Sequence, residues 1–288
     1  MLIKKVLNLA CPMEGEQLEA RAQQLVCKNG HAFDIARQGY INLLPVQHKR
    51  SKEPGDSKEM VAARTQFLNA GFYTAVVNKL VEVIQTLIGN RQQLCLLDAG
   101  CGEGYYLDAI ARLFENTKTE SMLSFIGLDI SKHAIVAAAK RNKNITWVVG
   151  TNRQPPVCMA SVDIILCVFG FQSFEGFRYA LKPGGKVVLV EPGPEHLQEL
   201  RQVIYADVKK TASPGLSVTD GTGFTLLHTS PLQFKTGKIH QQQIHNLLLM
   251  TPHFYRASKE GKQAASKLQT LDLSIDMLVT VYEKTAGA

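Results

Sequence analysis

Leu94-Cys95-Leu96-Leu97-Asp98-Ala99-Gly100-Cys101-Gly102-Glu103-Gly104-Tyr105-Tyr106 is the stretch on which the fold turns. Leu94, Leu96 and Leu97 form a short apolar run that reads as a buried strand. It breaks at Asp98 into alternating glycines, Gly100, Gly102 and Gly104. Leu107, Ile110, Ala111, Leu113 and Phe114 then recur at helical spacing. A strand, a Gly-x-Gly-x-Gly turn and a helix make a nucleotide-binding turn. Its glycines allow positive φ and let a ligand lie against bare backbone. The acids select the ligand: Asp98 ends the strand, Glu103 sits in the loop, and both repel unscreened phosphate. A ligand with an amino group and no phosphate suits this loop better.

S-adenosylmethionine (SAM) is such a ligand, with an ammonium, a sulfonium and an adenosine. The Asp-x-Gly-x-Gly-x-Gly pattern resembles the first motif of class I SAM-dependent methyltransferases. Downstream segments alternate in kind. Ser124-Phe-Ile-Gly-Leu-Asp129 reads as a second parallel strand ending in an acid, where a carboxylate accepts from both ribose hydroxyls; a helix cap is the plainer reading of Asp129. Ser131 and the alanine-rich run to Lys140 form a helix, and residues 145–149 a third strand, after which Gly150-Thr151-Asn152 are placed to flank adenine. Residues 161–168 make a fourth strand whose carboxyl end points at the reactive methyl. Leu181-Lys-Pro-Gly-Gly-Lys leads into a fifth ending at Val190, and residues 272–281 fit a late antiparallel strand. This alternation predicts an α/β fold, a doubly wound class I methyltransferase sheet of Rossmann-like type.

The chain has 288 residues, room for one large α/β domain and a small appendage. Its formal net charge of +7 leans toward a polyanionic partner. Six cysteines in no dense pattern argue for a reducing compartment. The apolar run before Cys11 contains Asn8 and is too short for a signal core, so it reads as a strand. No run approaches the roughly 18 apolar residues of a membrane span. The expectation is a cytoplasmic protein with no membrane partner.

Near the start stand Cys11-Pro-Met-Glu14 and Cys27-Lys-Asn-Gly-His31. Paired ligands in two tight turns around a short hairpin are the skeleton of a zinc ribbon. Cys11, Cys27 and His31 are ordinary zinc ligands; Glu14 stands where a second cysteine would complete Cys-x-x-Cys, and a carboxylate there weakens the site. Three readings stay open: a Cys11/Glu14/Cys27/His31 zinc site, a metal-free relic held by its hairpin, and chance spacing. Next come Phe33-Asp34-Ile-Ala-Arg-Gln-Gly39-Tyr40-Ile-Asn42-Leu-Leu-Pro45-Val-Gln47-His48-Lys49-Arg50 and Pro54-Gly-Asp56-Ser57. With Ala63-Arg64, Phe67-Leu68 and Ala70-Gly71-x-Tyr73, they resemble the bacterial 23S rRNA guanine-N1 methyltransferases of the RlmA type. The likeness is dense over roughly the first 110 residues and thinner beyond; Glu14 departs from it.

The resemblance implies SAM-dependent methylation of guanine N1 in a 23S rRNA hairpin, with 23S rRNA as partner. It implies a zinc-ribbon-like RNA-docking unit at 1–45, a basic linker and helices at 46–90 and a SAM-binding methyltransferase domain at 91–288. The cofactor residues it implies are Tyr73, Asp98, Gly100, Gly102, Gly104, Tyr106, Leu107, Asp129 and His196, the last within Pro192-Gly-Pro-x-His196-Leu. Read alone, Tyr73 is a packed aromatic and His196 a surface or capping residue. Gln47 to Lys52 is a basic loop suited to an RNA backbone, or a solvated linker. Ser57 caps a helix carrying Met60, Ala63, Phe67 and Leu68, and a second covers about 73–87. Tyr205 through Leu226 and Met250-Thr-Pro-His-Phe254-Tyr255, with residues 272–281, fit a target-recognition insertion and the last two antiparallel strands. Phe169 and Phe171 are candidates to stack on a flipped base, or core residues. No catalytic base is legible, and the sequence leaves a homodimer open. A small-metabolite methyltransferase and a noncatalytic SAM- or RNA-binding protein are the competing functions.

Overall fold

The computed structural model describes residues 8–49, 51–89, 93–115, 122–207 and 222–285. Residues 1–7 of the strand expected before Cys11, Arg50 of the basic loop and the central part of the Tyr205–Leu226 insertion lie outside those residues.

The chain opens with three short strands, β1 (Glu19–Arg21), β2 (Gln24–Val26) and β3 (Ala32–Asp34), paired antiparallel in a sheet of their own. A fourth, β4 (Tyr40–Asn42), leaves that unit and pairs parallel with a strand about a hundred residues downstream. Helix α1 (Lys58–Asn69) starts where expected, with Ser57 Oγ accepting from the Met60 N–H, and α2 (Thr74–Ile88) follows. Then β5 (Gln93–Ala99), α3 (Tyr105–Glu115), β6 (Met122–Asp129), α4 (Lys132–Arg141), β7 (Thr146–Val149), β8 (Val162–Val168), α5 (Phe174–Ala180), β9 (Leu181–Pro192) and α6 (Gln198–Ile204) alternate. The long β10 (Phe224–His240), three helices α7 (Gln241–Met250), α8 (His253–Arg256) and α9 (Lys259–Ser266), and β11 (Thr270–Lys284) complete it.

The large sheet runs β10-β11-β9-β8-β5-β6-β7-β4, parallel from β4 to β9, with β11 antiparallel to both β9 and β10. This is the class I methyltransferase order with β4 added at one edge. Strand order reverses at β5: β6 and β7 lie on one side, β8 and β9 on the other. Ligands bind in the crevice at such a switch point, beyond the carboxyl ends of the strands. Alternation along β5 feeds two cores. Leu94 and Leu96 join the one covered by α1 to α4 and α7; Cys95, Leu97 and Ala99 join the other. The second core is shared with Leu9, Leu18 and Leu25, so the N-terminal unit packs on the sheet beside α5. Asn8 O accepts from the Cys158 N–H at 2.8 Å and Pro156 O from the Ala10 N–H at 3.0 Å, fixing it in place. No helix among the described residues is long and apolar enough to cross a membrane.

Candidate functional site

The glycine loop is anchored to β6. Gly100 and Cys101 N–H groups both donate to Leu128 O, at 2.8 and 3.0 Å, and the Gly102 N–H donates to Asp129 Oδ2 at 2.9 Å. Gly100 and Gly102 hold φ of +91° and +57°, in the left-handed region where a side chain is strained. The loop forms the floor of a cavity of about 870 Å³, lined also by Tyr73, Asp98, Tyr106, Asp129, Thr151, Asn152, Phe169, Phe171 and His196. Of the expected cofactor residues, Gly104 and Leu107 are not brought to this wall. A Cβ on Gly104 would lie 2.6 Å from Trp147 Cη2, so that glycine serves packing of α3 against the sheet. Leu107 is fully buried in the first core.

The acids divide their work. Asp98 is 1% exposed, and its Oδ1 has no hydrogen-bond partner. Burial, aided by the neighbouring Asp129 charge, pushes its carboxyl up to about 8. A buried carboxylate atom without a donor at a cavity wall is the acceptor an ammonium group requires. Asp129 Oδ1 takes the Ser131 N–H at 2.8 Å, while Ser131 Oγ caps α4 through the Ala134 N–H. Asp129 therefore braces the turn and still faces the cavity, where its remaining lone pairs suit hydroxyl donors. Burial raises its pKa too. Glu103 is different: Arg141 of α4 binds its Oε2 through Nε at 2.9 Å and through Nη2, so its charge is offset within the protein. The charge available to a ligand comes from Asp98 and Asp129. The two acids at this floor fit the ammonium and ribose of SAM.

Beyond the glycine-loop floor, the cavity is lined by both phenylalanines offered above as stacking partners and by His196. Phe169, at the end of β8, has φ of +53°, costly for an aromatic residue, and its ring stacks on His196 at 6.0 Å. Phe171 carries the Arg153 guanidinium over its face at 4.6 Å. Both phenylalanines are exposed and belong to the cavity, not the core. His196 Nδ1 accepts the Asp276 N–H at 3.4 Å, leaving its ring hydrogen on Nε2; burial first, then His253, lowers its pKa to about 4. The opposite wall is Met250 to His253 and Arg256, with Arg64 donating to Met250 O at 3.1 Å and paired with Asp56 at 2.5 Å. His48 and Ser51, from the basic loop, reach the mouth.

A second constellation lies in the N-terminal unit. Cys11, Glu14, Cys27 and His31 come together with all ligand atoms within 4.8 Å of one another. His31 Nδ1 is 3.6 Å from Cys11 Sγ, 3.5 Å from Cys27 Sγ and 3.5 Å from Glu14 Oε2. Tetrahedral zinc with bonds of about 2.3 Å to sulfur and 2.0 Å to nitrogen has S···N edges of about 3.5 Å. Each turn is closed by backbone bonds: the Gly15 N–H donates to Cys11 O at 2.8 Å and the Gly30 N–H to Cys27 O at 3.0 Å. Asn29 Nδ2 donates to Glu14 Oε2 at 2.7 Å, orienting the carboxylate that replaces a thiolate. The donor set and its spacing fit a zinc ion.

Two family profiles match, one described as "RlmA, N-terminal" over residues 9–52 and one as "Methyltransferase domain" over 96–185. A Streptomyces fradiae protein named 23S rRNA (guanine(748)-N(1))-methyltransferase is 33% identical over 196 residues, 68% of this chain and 67% of that protein. A Micromonospora griseorubida protein, whose name gives a 23S rRNA (guanine-N(1)-)-methyltransferase provisionally, is 34% identical over 67% of this chain and 68% of its own length. YxjB of Bacillus subtilis (strain 168), provisionally named for the same reaction, is 28% identical over 278 residues, 95% of this chain and 96% of that protein.

Proposed function

The chain belongs to the family of 23S rRNA (guanine-N1)-methyltransferases, and from that we propose that it methylates N1 of a guanine in a 23S rRNA hairpin, in the cytoplasm. The observation that carries the cofactor half is the unpartnered Asp98 carboxylate at the floor of an acid-lined crevice. We assign Asp98 to the ammonium, Asp129 to the ribose, Gly100 and Gly102 to close backbone approach, and Tyr73, Tyr106 and His196 to the remaining walls. SAM, when bound, supplies a methyl on sulfonium, and the displacement destroys charge, so the protein's task is alignment. Phe169 and Phe171 receive the flipped base, since exposed aromatics at a cavity wall are stacking partners for any base face. Residues 1–45 dock the hairpin, 46–90 link, and 91–288 carry the chemistry. A zinc ion held by Cys11, Glu14, Cys27 and His31 would stiffen the docking turns.

The test is transfer of radiolabelled methyl to naked 23S rRNA, with nuclease digestion and mass spectrometry locating N1-methylguanine. Labelling is expected on the intact RNA and not on a transcript lacking the target hairpin. Equal labelling of both would remove the hairpin reading.

A further inference from the structure

We propose that the short helix α8 reads the O6–N1 edge of the target guanine, with Arg256 donating to O6 and His253 accepting the N1 proton. The inference rests on the guanine-N1 reading above and supplies the proton acceptor that reading lacks. Three observations converge on α8. His253 and Arg256 are spaced i,i+3, so they share one helix face, and both line the cavity. The Arg256 guanidinium makes no ion pair among the described residues, whereas the cavity's Arg64 is committed to Asp56 and Met250 O, and Arg201 Nη1 donates to Pro194 O at 2.7 Å. The carboxylates lining the cavity sit at its cofactor end or in ion pairs: Asp98 and Asp129 on the floor, Glu103 on Arg141, Asp56 on Arg64.

That leaves imidazoles as acceptors on the substrate side. His196 is excluded as a base because its Nδ1 lone pair holds the Asp276 N–H and its Nε2 carries hydrogen. In His253, Nδ1 lies 2.8 Å from Tyr205 Oη; with hydrogen on Nδ1 it donates there, and among the described residues no hydrogen bond holds the Nε2 lone pair. The charged and titratable groups facing His253 are Tyr205 and Arg201 from α6 and its end, Arg256 from its own helix, and His196 across the cavity. Burial, then Arg201 and Arg256, lower its pKa to about 4, so the ring is neutral at physiological pH.

Guanine offers an acceptor at O6 beside a donor at N1, the complement of a guanidinium beside a bare imidazole nitrogen. Adenine offers the reverse, an amino donor beside an acceptor nitrogen, and meets like with like at both points. The hydrogen and the incoming methyl occupy the same in-plane position on N1, so the proton leaves first. The N1–H bond breaks, its electron pair stays on N1, and the proton passes to His253 Nε2. Charge spreads to O6, next to Arg256, where a preorganised cation is most effective. The N1 pair then bonds the methyl carbon while the C–S bond breaks with its pair going to sulfur. His253 releases its proton to solvent at the mouth.

The experiment uses the full chain and a hairpin transcript, with kcat and KM measured from about pH 6 to 10. His253→Gln is expected to lower kcat about 100-fold at neutral pH while SAM affinity and the KM for RNA stay within about threefold. Its rate should then climb about tenfold per pH unit toward the range where guanine ionises unaided, and added imidazole should restore rate to His253→Ala. Arg256→Ala should move the rate-limiting ionisation to higher pH, and Arg256→Lys should recover part of that shift. A His253→Gln enzyme with wild-type kcat and pH profile overturns the proposal, as does a loss of rate matched by loss of SAM binding. If the wild-type protein itself labels no guanine N1, the functional reading falls first; if it does and the variants match it, only the role of α8 falls.

Discussion

Asp98 couples cofactor binding to pH. A carboxyl whose folded-state pKa is raised favours the fold when protonated, so its contribution to the stability of the free protein is lost as pH rises from about 4 to about 8. An ammonium partner prefers the ionised form, so SAM binding near pH 6 must expel the proton. Calorimetry in buffers of different ionisation enthalpy should read about one proton released there, declining toward pH 8. Asp98→Asn should abolish that release and weaken SAM binding by more than tenfold, the loss of a charge-assisted hydrogen bond. Glu14 sets a second expectation at this scale. Metal analysis should find zinc in the protein, and Glu14→Cys should slow its removal by a chelator, since a thiolate holds zinc more firmly than this carboxylate. His31→Ala should lose the metal while SAM affinity is unchanged, because the ribbon and the cofactor crevice share no residue.

Elements explain which parts were legible beforehand. The run from Leu94 to Gly104 announces strand and loop because both depend on residues adjacent in sequence. Asp129 ends its strand as expected; Ser131 and not Asp129 caps α4, while Asp129 braces the turn before it and lines the cavity. The resemblance implies Leu107 at the cofactor, yet helical phase turns Tyr106 to the cavity and the Leu107 side chain into the core. The stretch from Met250 to Tyr255 stands out only as part of a target-recognition insertion or late strand, since nothing local says that a four-residue helix will face a loop some 150 residues earlier. Nor did β4 announce itself: three residues carry too little periodicity to distinguish a sheet edge from a linker. One expectation belongs to α3. Gly104→Ala, at φ +83° and against the Trp147 ring, should cost about 2 kcal/mol or more and lower the melting temperature by several degrees. An unchanged melting temperature would mean that Trp147 moves aside.

At the scale of the molecule, the N-terminal unit is part of the sheet's covering. Leu9, Leu18 and Leu25 complete the second core and β4 closes an edge. Deleting residues 1–45 should therefore give an aggregating protein and not a smaller working enzyme, as static light scattering would show. Removing metal ligands one at a time is the cleaner way to isolate docking. With a net charge of +7, methylation of RNA should weaken tenfold or more between about 50 and 200 mM salt, while SAM binding by calorimetry stays nearly constant. Equal salt sensitivity of both would argue against contact with an RNA backbone.

The pairing of β4 with β7 also imposes an order on synthesis. Asn42 leaves the ribosome 104 residues ahead of Thr146 (146 − 42), an interval of roughly 5 to 20 seconds at usual elongation rates. Through that interval the newborn N-terminal turns stand outside the ribosome without the surface they later rest on. Metal capture has its opening then, before the rest of the polypeptide arrives to lock the two turns in place.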